Sequence, residues 1–224
     1  MLSRLRGLMG RLFHPLAKAL LAAKVSPDAV TVFGTVGVLV TAFWAFPADH
    51  LLVGAVVIGL FALLDSLDGT MARLSGRSGS WGAFLDSTLD RLADAAIFCG
   101  LAAYFLLHHE GPTRAWGTAA AIACLVVGSM VSYARARAEG LGMTAAVGIA
   151  ERAERLLVSL VAAAAVGLGL TAVVLVVALV VLALASLVTL GQRIATVRRQ
   201  ALAATPAATP ASPAAPAPST TVEG

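Results

Sequence analysis

The sequence predicts an all-α, polytopic membrane protein with six transmembrane helices and an N-terminal amphipathic helix that lies in the membrane interface. Two observations carry this prediction. Of the 224 residues, 59% are hydrophobic and only 12% are charged, which is about half the charged share of an ordinary soluble domain. Uncharged runs long enough to cross a bilayer also recur along the chain, separated by short segments that hold nearly all the charges. Most of the chain is therefore expected to lie in lipid.

The first 24 residues combine apolar side chains at helical spacing with the basic residues Arg4, Arg6, Arg11 and Lys18. This pattern is typical of a basic amphipathic helix that lies along a membrane surface. A secretory signal peptide is not expected, because the cations leave no long uninterrupted apolar core. We therefore predict that residues 1–24 form an interfacial helix.

Four spans follow. Ala29–Ala48 holds no charge over 20 residues, which as a helix crosses a hydrocarbon core of about 30 Å. The second span, Leu51–Arg73, has its acidic residues at its far end, and the third, Gly82–Leu107, has them at its beginning. The fourth is Ala115–Ala134. The acidic ends of spans two and three are therefore expected at the same membrane face.

The last apolar run, Leu156–Leu190, is too long for one span. It has no charge over 35 residues, and a single helix of that length would measure about 52 Å. The chain must fold back, and Gly167-Leu168-Gly169 is the expected turn, with the sixth span running to about Arg199. We place the transmembrane domain at 25–200, and we expect 201–224, composed mainly of Ala, Pro, Thr and Ser, to be a disordered tail.

The distribution of charge predicts the orientation. With six spans both termini share one side, and 15 of the 16 Lys and Arg residues fall on that side, with only Arg114 opposite. By the positive-inside bias this side is the cytoplasm. A nucleic-acid partner is not expected, because the basic residues flank apolar runs and aromatics make up only 6%.

Four aspartates mark the candidate site. Asp65 and Asp68 are spaced i,i+3, and Asp86 and Asp90 are spaced i,i+4, so each pair projects from one helical face. If the two helices pack together, the four carboxylates converge and favour a divalent cation with oxygen ligands, such as magnesium, manganese or calcium; two ions are feasible.

An ion or metal transporter would also gather acidic residues in a membrane. These aspartates, however, lie toward the cytoplasmic ends of their spans and beside a glycine-rich segment. Gly69 and Gly79 allow a bulky ligand to approach the backbone, and Arg73 offers a guanidinium to phosphate oxygens. The arrangement therefore favours chemistry on a cytosolic, phosphate-bearing substrate.

The spacing of these residues resembles a family signature. The string Asp65-x-x-Asp68-Gly69-x-x-Ala72-Arg73, eight residues, then Gly82-x-x-x-Asp86-x-x-x-Asp90 is similar at every defined position to that of the CDP-alcohol phosphotransferases. The resemblance implies a six-helix membrane enzyme, usually a homodimer, which transfers a phosphatidyl or similar group from a CDP-linked donor to an alcohol and releases CMP. It also implies Mg²⁺ or Mn²⁺, with two ions expected.

The same resemblance implies roles for individual residues. Asp65, Asp68, Asp86 and Asp90 would bind metal, and Asp90 would also be the general base. Gly69 and Arg73 would hold the cytidine diphosphate, and Gly79 would also bind the CDP-linked donor. The stretch that contains Asp28, Ala29, Val30 and Thr31 looks like the family's Pro-Asn-x-x-Thr element near the donor diphosphate. Asp28 departs from the usual Asn.

The second half of the chain suggests the acceptor. Its arginines lie on the same predicted side as the aspartates and could hold a phosphate. Residues 1 to about 200 resemble the bacterial phosphatidylinositol-phosphate synthases, and the matching pieces are 86–91, 132–140, 151–155 and Gln192-Arg193. This implies CDP-diacylglycerol and inositol 1-phosphate as substrates, with Arg135, Arg155 and Arg193 gripping the acceptor phosphate. Glycerol 3-phosphate, which would give phosphatidylglycerol phosphate, is the alternative acceptor.

Overall fold

A computed structural model describes residues 14–75 and 79–204, apart from the side chains of Asp65, Ser66 and Asp68. The described part consists of helices and turns, without a strand. Its helices are α1 (14–22), α2 (Pro27–Ala45), α3 (Leu51–Ser75), α4 (Ser80–His108), α5 (Gly111–Glu139), α6 (Arg152–Gly167) and α7 (Ala172–Ala204). The first 13 residues of the predicted interfacial helix lie outside this part, as do residues 205–224 of the predicted tail.

The described helices confirm an all-α membrane protein. Within 14–75 and 79–204, the five helices α2, α3, α4, α5 and α7 are long and apolar enough to cross a bilayer. Helix α6 has 16 residues, a length of only about 24 Å. The sixth span therefore remains a prediction. Helix α7 continues four residues into the predicted tail, through Ala204, because alanine has the highest helix propensity.

The predicted reversal of the last apolar run is confirmed. Helix α6 ends at Gly167 and α7 begins at Ala172. The backbone N–H of Leu168 donates to the Ala164 carbonyl at 2.9 Å and closes the last turn of α6. Gly169 follows with φ of 106°, in the left-handed region that glycine adopts without steric cost. The glycine pair therefore supplies the geometry that turns the chain back.

The six long helices close a ring. Each packs mainly against two neighbours, in the order α2, α3, α6, α7, α5, α4 and back to α2. The core inside includes the fully buried Phe46, Phe98 and Phe105. The predicted convergence of the four aspartates assumes that spans two and three, which are α3 and α4, pack directly against each other. In this ring α2 instead lies between α3 and α4, so these two helices are not each other's main neighbours.

Small residues allow α2 to approach α4 closely. A Cβ atom added at Gly100 would lie 2.6 Å from the backbone oxygen of Ala42, well inside van der Waals contact. Ala42 itself is fully buried. Glycine at position 100 therefore sets the distance between these helices, which is a common use of small residues in membrane proteins.

Candidate active site

A large cleft opens at the charged end of the bundle, where α2, α4 and α6 begin and α3, α5 and α7 end. It has a volume of about 730 Å³, within the range of small-molecule sites. Five of the seven residues expected to bind the CDP-linked donor line it together with one of the aspartates: Asp28, Thr31, Gly69, Arg73, Gly79 and Asp86. Val30 instead lines a smaller neighbouring cavity, and Ala29 lines neither. The cleft thus gathers residues from three helices that the sequence separates by up to 58 positions.

Two helix N-termini face this cleft. At the start of α2, the Ser26 hydroxyl accepts a hydrogen bond from the backbone N–H of Ala29 at 3.1 Å. Helix α4 begins after Gly79, which has no side chain to cap it. Helix N-termini carry partial positive charge and unpaired N–H groups, so they favour anions. The cleft is therefore suited to a phosphate or diphosphate.

Arg73 adds a full positive charge to the same cleft. Its guanidinium donates to the Thr70 hydroxyl at 3.1 Å, and the side chain is exposed. A Cβ atom at Gly69 would lie 3.7 Å from the nearer guanidinium nitrogen, so the guanidinium lies alongside the glycine. Gly79 and Gly82 line the same cleft. A Cβ atom added at either position would meet nothing within 4 Å, so this wall of the cleft is open.

The two predicted metal ligands on α4, Asp86 and Asp90, line different cavities. Asp86 is half-buried on the wall of the large cleft. Asp90, one turn further along, lines the smaller cavity of about 30 Å³, and Thr31 lines both cavities. Asp65 and Asp68 belong to α3, but their side chains lie outside the described part. The structure therefore locates two of the four predicted metal ligands, Asp86 on the wall of the large cleft and Asp90 in the cavity next to it.

The chemistry of these groups fits a hard divalent ion. The aspartates supply only oxygen ligands, which Mg²⁺ and Mn²⁺ prefer. Among the described side chains, no three His, Cys, Asp or Glu residues form a ready metal site, and two of the four predicted ligands fall outside that set. Arg152 already balances part of the negative charge, since its Nη2 lies 2.8 Å from Oδ1 of Asp90.

Asp94 organises a buried ion-pair network one turn beyond Asp90. Its Oδ1 accepts from Nε of Arg152 at 3.1 Å, and its Oδ2 accepts from Nη2 of Arg155 at 3.5 Å. Arg91 lies 3.8 Å from both Asp90 and Asp94. The side chain of Asp94 is only 9% exposed. This carboxylate therefore joins the start of α6 to α4.

The three arginines expected to grip the acceptor phosphate have different surroundings. Arg155 is 1% exposed and also donates to the Ala150 carbonyl at 3.2 Å. Arg193 is 3% exposed and donates to the carbonyls of Val131 and Val147 at 2.6 and 2.9 Å. Both fasten the 140–151 connection to the bundle, because its carbonyl groups lack helical partners.

Arg135 is the exposed member of that set. Its Nε lies 2.9 Å from the Glu139 carboxylate, and both side chains are about half exposed. Arg135 and Arg155 are close enough to Arg193 for their charges to act on it. The three residues therefore share one region, in which Arg155 and Arg193 are buried and Arg135 is exposed.

Two further residues lie at the candidate site, beyond those to which a metal, donor or acceptor role was assigned. Arg152 bridges Asp90 and Asp94 with a side chain that is still 26% exposed. Trp81, on the cleft wall, donates its indole N–H to Asp28 at 3.1 Å. Both contacts join residues more than 50 positions apart. No local pattern in the sequence carries such a signal.

Comparison with known proteins decides the family. The sequence model of CDP-alcohol phosphatidyltransferases matches residues 24–190. The chain belongs to this family. It is therefore a membrane-bound enzyme of the transferase class, as the aspartate signature predicts.

Phosphatidylinositol phosphate synthase of Cutibacterium acnes is 48% identical over 206 residues, covering 89% of this chain and 98% of that protein. The Streptomyces avermitilis protein of the same name is 46% identical over 201 residues, covering 87% and 81%.

Solved structures of this family share the fold. Phosphatidylinositol phosphate synthase (PgsA1) of Mycobacterium tuberculosis with CDP-DAG bound superposes with a TM-score of 0.79 at 39% identity, covering 84% of this chain and 94% of that one. The same enzyme in complex with manganese and citrate also gives a TM-score of 0.79, at 38% identity and with 83% and 88% coverage. Those two crystals show that this relative binds the donor and a divalent metal.

Proposed function

We propose that the protein is a phosphatidylinositol-phosphate synthase, which transfers the phosphatidyl group of CDP-diacylglycerol to a hydroxyl of inositol 1-phosphate and releases CMP. The observation that carries the proposal is the single cleft lined by Asp28, Thr31, Gly69, Arg73, Gly79 and Asp86. Gly69, Arg73 and Asp86 belong to the family signature, and the residues together surround a space that suits an anion. The names of relatives at 46–48% identity support the same substrates.

In this proposal the donor diphosphate lies beside Arg73 and Asp86, in the cleft that the N-termini of α2 and α4 face. Two divalent ions, Mg²⁺ or Mn²⁺, would be held by Asp65, Asp68, Asp86 and Asp90, and the manganese complex of the mycobacterial relative supports this. Bound ions neutralise the diphosphate charge and stabilise the leaving phosphate. Arg73 and the helix N-termini add to that neutralisation and orient the donor.

Asp90 is the proposed general base. It takes the proton of the acceptor hydroxyl while the hydroxyl oxygen bonds to the phosphorus nearest the diacylglycerol. The bond from that phosphorus to the bridging oxygen breaks, and CMP leaves with the electron pair. Arg152 lies 2.8 Å from Asp90, so it holds the carboxylate in a fixed orientation before the acceptor arrives.

The acceptor phosphate is proposed to bind beside Arg152 and Arg135, whose side chains are 26% and 48% exposed. Arg155 and Arg193 are buried under this region and would act on the phosphate after local rearrangement. Glycerol 3-phosphate carries the same phosphate and is the competing acceptor.

The cellular setting is part of the proposal. The charged end of the bundle is assigned to the cytoplasm because it collects the basic residues, and the membrane is assigned to the bacterial plasma membrane. A homodimer is proposed by analogy with the family.

The test is CMP release by the purified protein in nanodiscs with CDP-diacylglycerol and Mg²⁺. Inositol 1-phosphate, free inositol, glycerol 3-phosphate and serine are offered separately. We expect turnover with inositol 1-phosphate, and none when Asp90→Asn replaces the wild type. Turnover with glycerol 3-phosphate alone would overturn the acceptor, and no CMP from any acceptor would overturn the proposed activity.

A further inference from the structure

Trp81 has an unusual position for an exposed aromatic residue. It lies in the first turn of α4, its side chain is 62% exposed, and it lines the wall of the large cleft. Its indole N–H does not point to solvent or lipid, because it donates to Oδ2 of Asp28, on α2, at 3.1 Å. The edge of the indole is therefore fixed across the cleft while much of its surface stays uncovered.

An anchoring role at the membrane surface is the simplest alternative. The chain has three tryptophans, and Trp44 and Trp116 lie at the other end of the bundle, near the end of α2 and the start of α5, with more than half of each side chain exposed. Tryptophans at such places typically anchor a protein at the lipid headgroups. Trp81 differs from them, because its polar atom is bonded to a residue of the substrate cleft.

The position along α4 indicates which part of a ligand Trp81 would meet. It precedes Asp86 by five residues, which is about 7.5 Å along the helix axis. Asp86 lies on the side of the proposed diphosphate and metal site. Trp81 therefore lies nearer the N-terminus of α4 than Asp86 does, at a separation comparable to that between the base and the phosphates of a nucleotide, and Gly79 and Gly82 leave space in the same cleft.

We propose that Trp81 stacks on the cytosine ring of the CDP-linked donor and of the product CMP, and that Asp28 positions the indole for this contact. The inference rests on the proposed function and adds to it a residue that binds the base. It also gives Asp28 a role: its carboxylate accepts the indole hydrogen bond, which the amide oxygen of an Asn could accept as well. An aromatic face suits any base, so the contact contributes affinity more than selectivity among bases.

The test uses Trp81 as its own reporter. In a Trp44→Phe, Trp116→Phe background, Trp81 is the remaining tryptophan of the chain. CMP with Mn²⁺ is titrated into the full-length protein in nanodiscs, and ribose 5-phosphate, which lacks the base, is titrated in parallel. We expect saturable quenching of Trp81 emission by CMP and none by ribose 5-phosphate.

Binding constants from calorimetry complete the test. We expect Trp81→Ala to weaken CMP binding about tenfold, while the matched control Trp116→Ala leaves it unchanged. Asp28→Ala should weaken CMP binding, and Asp28→Asn should restore it. The inference is overturned if CMP binds without changing Trp81 emission, or if Trp81→Ala and Trp116→Ala bind CMP equally well. A wild-type protein that binds no CMP at all would contradict the proposed function as well.

Discussion

Removing the carboxylate of Asp94 should destabilise the protein strongly. The side chain of Arg155 is only 1% exposed, and Asp94→Ala removes its carboxylate partner. The same substitution removes the contact at 3.1 Å between Arg152 and the Asp94 carboxylate. Breaking a buried ion pair from one side costs about 3–5 kcal/mol. For a chain of this size each kcal/mol shifts the melting temperature by about 2–4 °C, so the expected decrease is roughly 10 °C.

The assay is thermal unfolding in one fixed detergent, followed by intrinsic fluorescence and by loss of the monodisperse peak. Asp94→Asn should cost less, because its amide oxygen still accepts from Arg152. The matched control is Arg135→Ala, which breaks the exposed pair with Glu139 and should cost under about 1 kcal/mol. If Asp94→Ala melts no lower than Arg135→Ala, the assignment of Asp94 as the centre of the network is wrong.

Three further predictions concern the acceptor, the packing and the metal. Arg152→Gln should raise KM for inositol 1-phosphate about tenfold or more by removing a charge-assisted contact, with KM for CDP-diacylglycerol unchanged in steady-state CMP assays; equal increases in both would contradict this. Gly100→Ala should lower the melting temperature, because its Cβ would meet the Ala42 oxygen at 2.6 Å. Gly191→Ala, with nothing within 4 Å of an added Cβ, should leave it unchanged or raise it. EDTA should abolish CMP formation and added Mg²⁺ or Mn²⁺ restore it; activity that survives complete chelation would refute the metal requirement.

Much of the fold could be predicted because hydropathy and charge report directly on membrane spans. The 35-residue uncharged run had to reverse, and the glycine pair marked where it does. Neighbour relations could not be predicted in the same way. Helix α2 lies between α3 and α4, and Gly100 permits the close approach of α4 to Ala42 of α2. Such a contact depends on shape, which hydropathy does not encode.

In the candidate site too, some residues could be predicted from a local pattern and others could not. Gly69 and Arg73 follow a signature with fixed spacing, and five of the seven residues predicted to bind the donor line one cleft. The arginines had no such pattern. Arg155 and Arg193 are buried against Asp94 and against backbone carbonyls, although charged residues usually remain exposed. Their partners Asp94, Val131 and Val147 lie 46 to 62 positions away, so only the folded chain identifies these contacts.

The most direct test of the central claim is the identity of the lipid product. CDP-diacylglycerol in nanodiscs is offered with equal concentrations of inositol 1-phosphate, free inositol and glycerol 3-phosphate, and the lipids are identified by mass spectrometry. The account predicts phosphatidylinositol phosphate as the product, formed with one CMP per lipid and absent with Asp90→Asn. Phosphatidylglycerol phosphate as the main product, or product formation by Asp90→Asn at the wild-type rate, would contradict it.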